Sequence, residues 1–190
     1  MSNLSLRFVI IHGTGGSPQG NWFPWLADQL RGLAQDVTVP QFPTGPGQNL
    51  ASWLEAFNAY AGPLTREHVL IGHSIGAAFV LRLLERSSLP VAGAVLVAPF
   101  ARQLGIPDFD PLNETFVRPA FKWTDIRKGA RCFKVYSGDN DPYVPLHLGE
   151  EVAREIGCGF SVVEGGGHLN AESGYLRFDL LLRDLKPLMA

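Results

Sequence analysis

The chain is poor in the features that mark several specialised classes of protein. It has only two cysteines, Cys132 and Cys158, and their spacing fits neither a zinc site nor a redox pair. They are expected as free, mostly buried thiols in a reducing cytosol. No apolar run approaches the roughly 18 residues that a membrane-spanning helix needs. Charged residues make up 18%, the net charge is −2, and no basic block occurs. Nothing therefore favours nucleic acid or an anionic membrane surface as a partner. The opening Met-Ser-Asn-Leu-Ser-Leu-Arg lacks a basic segment followed by a long apolar one. No signal peptide is expected, and the location expected is cytoplasmic. Repeats and low-complexity segments are also missing. What remains is a 190-residue chain with 46% hydrophobic residues. That suits one globular domain over residues 1–190 with a single sizeable core.

Strands and helices alternate along it. Arg7 to Ile11 reads as a buried strand. A helix ends near Leu33, with Asn21 as its N-cap. Val37 to Val39 is a short strand, and Leu50 to Tyr60 a helix with Leu50, Trp53, Leu54 and Phe57 on one face. A strand follows over Val69-Leu70-Ile71, then a helix with Ala77, Val80, Leu81 and Leu84 at helical spacing. Val91 to Val97, Cys132 to Tyr136 and Phe160 to Val163 read as strands. Leu146 to Ile156 and Ala171 to Leu188 read as helices, and Pro99 to Gly129 shows no regular pattern. The strands are apolar throughout, as expected when both faces of a sheet are covered. The pattern predicts an α/β three-layer sandwich with a mostly parallel sheet of about five to six strands. Sites in such sheets form where strands end, so the polar residues just after each strand carry the functional information.

The most informative of these lies between the strand ending at Ile71 and the following helix: Gly72-His73-Ser74-Ile75-Gly76. Gly-x-Ser-x-Gly between a strand and a helix is the nucleophile elbow. The turn strains the central residue, and side chains two positions either side would strike the neighbouring strand and helix. The Ser74 hydroxyl is lifted above the sheet, and the Ile75 N–H is left free at a helix N-terminus to meet a developing oxyanion. A plain βα loop would carry similar residues, so the other strand ends must decide.

After the first strand comes His12-Gly13-Thr14-Gly15-Gly16. Its amides, that of Thr14 first, can complete an oxyanion hole with Ile75. A dinucleotide-binding loop is the competing reading. It fails because Pro18 stands where the third glycine should be, and Gln41 rather than an acidic residue follows the second strand. Asp139-Asn140-Asp141-Pro142-Tyr143 follows a later strand, and Gly165-Gly166-Gly167-His168 the last one. Ser74, Asp141 and His168 thus occur in the order of the α/β-hydrolase triad, each after its own strand. A serine hydroxyl needs a base to take its proton, and the base needs a carboxylate to fix its tautomer. Asp139 competes with Asp141 for that place; Asp141 is preferred because it opens Asp-x-x-Val-Pro. His12 is read as a support beneath the oxyanion loop. His73 is the variable residue of the elbow, and none of the remaining histidines has metal-ligand spacing.

These segments resemble the small α/β-hydrolases of the retinoblastoma-binding-protein-9-like serine hydrolase family. The matching pieces are His12-Gly13 with Gly15, Trp22-Phe23-Pro24-Trp25-Leu26, Gly72 to Gly76, Asp141-Pro142-Tyr143-Val144-Pro145 and Gly167-His168. The resemblance implies a minimal hydrolase without a separate cap domain, a Ser74–Asp141–His168 triad and esterase activity on small acyl substrates. It does not extend to pocket-protein binding, because the chain lacks Leu-x-Cys-x-Glu. The expected enzyme is a serine hydrolase of the carboxylesterase type, using no cofactor and no metal, and monomeric or homodimeric. A peptidase, amidase or thioesterase on the same triad, or a binding scaffold with little turnover, are the alternatives. The aromatic stretch from Pro99 to Gly129 is expected to line the acyl pocket, with Trp22, Phe100 and Phe109 as its walls, unless those rings only pack the loop down. Asp108 and Asp110 are either a lure for a cationic substrate or turn residues beside Pro107 and Pro111.

Overall fold

The computed structural model describes residues 5–189. Six parallel strands form one sheet: β1 (Arg7–Ile11), β2 (Asp36–Thr38), β3 (His68–His73), β4 (Gly93–Val97), β5 (Phe133–Gly138) and β6 (Phe160–Val163). Their order across the sheet is β2-β1-β3-β4-β5-β6. The chain therefore steps outward from β1 to β2, then jumps back over β1 to β3. Between β1 and β3 the winding reverses, and the loops leaving those two strands part to open a crevice. His12 to Gly16 leaves β1 there, and Ser74 leaves β3.

Seven helices cover the sheet among the described residues. Helices α1 (Phe23–Gly32) and α7 (Asp179–Leu185) lie on one face. Helices α2 (Leu50–Ala61), α3 (Ile75–Leu84), α4 (Asp110–Val117), α5 (Trp123–Gly129) and α6 (Leu146–Ile156) lie on the other. The continuous apolar strands serve both layers by alternation. Phe8 and Ile10 of β1 face α1 and α7, while Val9 and Ile11 face α3. The expected three-layer α/β sandwich is what the chain forms, and no cap domain is evident among the described residues.

The sequence reading needs correction in three places. Asn21 does not cap α1. Its φ is 51°, and its side-chain oxygen accepts from the Ala171 N–H at 3.0 Å, tying the start of α1 to the loop after β6. The stretch from Pro99 to Gly129 is not irregular. It holds α4, which starts at Asp110-Pro111, and α5. Two short helices separated by Pro119 leave too little periodicity to read. Ala171 to Leu188 is not one helix. Gly174, at φ 85°, ends a 3₁₀ turn over Ala171–Ser173, and α7 begins only at Asp179.

Candidate active site

The local geometry at Ser74 follows from its glycines. A Cβ on Gly76 would lie 2.5 Å from the His12 carbonyl oxygen, and one on Gly72 would collide with the backbone of α3. Only hydrogen at both positions lets α3 start this close to β1 and β3. Ser74 is held at φ 58°, ψ −125°, a strained conformation for a residue with a side chain. Its own N–H is fixed by the Val97 carbonyl at 2.8 Å. The Ile75 N–H at the head of α3 and the Thr14 N–H have no acceptor among the described residues.

His168 and Asp141 come together as the sequence order requires. His168 Nδ1 donates to Asp141 Oδ2 at 2.7 Å, and the Asp141 side chain is fully buried. Asp141 Oδ1 accepts from the N–H groups of Tyr143 and Val144, at 2.8 and 3.0 Å. The Asp-x-x-Val-Pro segment thus folds round its own carboxylate and aims the second oxygen at the histidine. Asp139 does something else: its Oδ1 accepts from the Gly165 N–H at 2.8 Å. Asn140 Oδ1 accepts from the Gly167 N–H at 2.7 Å. Three consecutive side chains after β5 lace down the loop after β6, and only the third reaches the imidazole.

Behind His168 stands His73. Its Nε2 donates to the His168 carbonyl at 2.9 Å, its ring centroid lies 4.8 Å from that of His168, and its Nδ1 has no partner. Complete burial is the first cause that drives its pKa down to about 3, and nearby His168 adds to this. His73 is therefore a neutral donor. Tyr143 closes the other side of the His168 ring at 5.1 Å. His12 braces the glycine loop after β1: Nδ1 donates to the Gly13 carbonyl at 2.8 Å, and Nε2 accepts from the Phe42 N–H at 3.0 Å. Burial lowers its pKa as well.

Ser74, His168 and Thr14 line one cavity of about 380 Å³. Leu104, Phe109 and Asn113 from the segment around α4 form one wall, and Tyr143, Asn170 and Glu172 another. Of the expected aromatic walls, Phe109 alone faces the cavity. Trp22 and Phe100 are buried in the two layers of core instead. Trp22 sits under the loop after β6, where its indole N–H donates to the Leu169 carbonyl at 2.9 Å. Asp110 is a turn residue: its carboxylate accepts the Leu104 and Gly105 N–H groups, each at 2.8 Å. Asp108 does not line the cavity. Among the described residues, no cluster of three His, Cys, Asp or Glu side chains is placed to hold a metal.

The sheet order, the strained elbow and the buried carboxylate–imidazole pair define an α/β-hydrolase. The chain belongs to the serine hydrolase family, whose profile it matches over residues 8–186. It is 30% identical over 174 residues to YdeN of Bacillus subtilis (strain 168), with 90% of each chain covered. The crystal structure of the B. subtilis ydeN gene product superposes with a TM-score of 0.89 at 28% identity, covering 97% of this chain and 98% of that one. Est1E from Butyrivibrio proteoclasticus, solved with ferulic acid bound, shares the fold at a TM-score of 0.72 and 16% identity, over 99% of this chain and 90% of that one.

Proposed function

We propose that this serine hydrolase is a carboxylesterase that cleaves small, uncharged acyl esters through an acyl-enzyme. The reading rests first on the His168–Asp141 bond of 2.7 Å, set at the same cavity as a serine on a strained elbow. Ser74 Oγ attacks the ester carbonyl as His168 Nε2 takes its proton. Asp141 accepts from Nδ1–H, holds that tautomer and steadies the imidazolium. The oxyanion is met by the N–H groups of Ile75 and Thr14, both without another acceptor among the described residues. Collapse breaks the bond to the alcohol, which leaves with the proton from His168. Water, activated by the same imidazole, then releases the acid and restores Ser74. No metal or cofactor enters these steps.

Among the described residues, Glu172 is the one Asp, Glu, Lys or Arg side chain on the cavity wall, so an anionic substrate finds no counter-charge there. This supports neutral esters. The finer kinship with the retinoblastoma-binding-protein-9-like hydrolases rests on the segments that carry that resemblance. A cytoplasmic location fits two cysteines that are both free. The protein is taken to act as a monomer or homodimer on a small-molecule acyl substrate, with neither nucleic acid nor membrane as partner. Its helices offer no span long and apolar enough to cross a bilayer among the described residues. The test is turnover of p-nitrophenyl acetate beside longer esters and the matching p-nitroanilides. Ester cleavage with negligible anilide cleavage is expected. Faster cleavage of the anilides would move the enzyme to the amidases.

A further inference from the structure

One donor in the cavity is left over by the hydrolytic steps. Asn113, on α4, is only 3% exposed, yet it lines the cavity. Its Oδ1 accepts twice: from the Thr14 hydroxyl at 2.7 Å and from Gln48 Nε2 at 3.0 Å. Gln48 Nε2 also reaches the Leu112 carbonyl at 3.3 Å and Thr14 Oγ1 at 3.2 Å. The Leu112 carbonyl can only accept, so the Gln48 group facing it is the NH₂. Asn113 must then turn its oxygen toward Gln48, because its own NH₂ would meet another donor there. That leaves Nδ2 with no acceptor among the described residues, on a residue that lines the cavity. A buried amide normally has its hydrogen bonds filled. This one has been oriented by three neighbours and then left with open donors.

Its place relative to the chemistry is set by covalent connection. Thr14 offers its N–H to the proposed oxyanion and its hydroxyl to Asn113. The free amide is therefore one residue and one hydrogen bond away from the reacting carbonyl. Leu104 and Phe109, on the same wall, are apolar. We propose that Asn113 is a specificity-determining residue whose Nδ2 donates to the substrate. On this account the substrate class is esters that carry a hydrogen-bond acceptor, an ether, carbonyl or hydroxyl oxygen, a few atoms from the scissile bond. Plain alkyl esters cover the donor without pairing it and are disfavoured. The inference rests on the ester-hydrolase reading of the same site.

The test uses isosteric pairs and the Asn113→Asp variant. That variant keeps an oxygen for Thr14 and Gln48 but replaces the donor with an acceptor. For the acyl side, kcat/KM is compared for p-nitrophenyl methoxyacetate and p-nitrophenyl butyrate. For the alcohol side, 2-methoxyethyl acetate is compared with butyl acetate. Dividing the wild-type ether-to-alkyl ratio by the variant ratio cancels the intrinsic reactivity of each ester. The quotient is expected to be about three- to tenfold on one of the two sides, the scale of one neutral hydrogen bond. The side that responds says which half of the substrate Asn113 reads. The same pairs are titrated by ligand-observed NMR against Ser74→Ala and Ser74→Ala/Asn113→Asp, where no turnover is needed. Asn113→Leu, which removes donor and acceptor together, should lose the same preference in both formats. A quotient near one on both sides, in turnover and in binding, overturns the assignment. A preference in binding without any ester turnover would uphold it and remove the esterase reading instead.

Discussion

Both oxygens of Asp141 are committed, one to two backbone amides and the other to His168. Asp141→Asn puts an amide where that second oxygen receives Nδ1–H, and so favours the wrong imidazole tautomer. The expected loss in kcat for p-nitrophenyl acetate is on the order of 10⁴. Asp139→Asn only loosens a bond to Gly165 and should cost less than about tenfold. The reverse order of the two losses would place the triad carboxylate at Asp139. At this scale the sequence was informative where residue type and position coincide with chemistry. Ser74, Asp141 and His168 each follow a strand, and His12 lies under a glycine loop. The roles of Asn113 and of His73 depend on which atoms of neighbouring chain segments face them. Nothing in Leu112-Asn113-Glu114 marks an oriented donor. The partner of His73, the His168 carbonyl, lies 95 residues away.

Arg82 shows what holds the cavity wall in place. It lies on α3 with its side chain 2% exposed, paired with Glu85 at 2.8 Å. Its Nε donates to the Phe116 carbonyl at 2.7 Å, at the end of α4, and its guanidinium covers the Phe121 ring at 3.7 Å. The segment that contributes Leu104, Phe109 and Asn113 to the cavity is thereby anchored to the helix that follows Ser74. Arg82→Ala removes those contacts and takes from the buried Glu85 carboxylate its nearest cation, leaving it the Lys122 N–H at 2.6 Å and the more distant Arg86 at 3.6 Å. A destabilisation of about 3–5 kcal/mol is expected from the urea midpoint; a loss under about 1 kcal/mol would mean that the anchor lies elsewhere. Elements with strong local signals, β3, α3, α6 and β6, were legible to within a residue or two. Helices α4 and α5 were not, because they depend on this anchoring more than on their own periodicity. The C-terminal segment misled for a related reason: its apolar residues run on, but Gly174 breaks the backbone.

For the whole molecule, the reversal between β1 and β3 puts the glycine loop after β1 beside Ser74, and the β5 and β6 loops bring Asp141 and His168 together. The parallel α/β class was legible in the alternation of elements, whereas the strand order was not, since apolar strands carry no label of their neighbours. Burial also gives the fold a pH dependence. His73, His12 and His68 all have depressed pKa values, with desolvation as the first cause, and His73 is held near 3. In the unfolded chain these groups titrate near 6.5, so below that pH the unfolded state binds more protons. Stability is full above about pH 6.5 and falls as pH drops, by up to about 1.4 kcal/mol per pH unit for His73 down to about pH 3, with His12 and His68 acting in the same direction. The urea midpoint should be lower at pH 5 than at pH 7, and flat between pH 7 and 8. An unchanged midpoint at pH 5 would show that these histidines are not buried neutral. The central claim is that the fold makes Ser74 an activated nucleophile, and reaction with a fluorophosphonate probe, read by intact mass, tests it most directly. A single adduct on the wild type that is lost in Ser74→Ala is the expected result. A folded wild-type protein that takes up no probe, or an adduct that persists in Ser74→Ala, would contradict it.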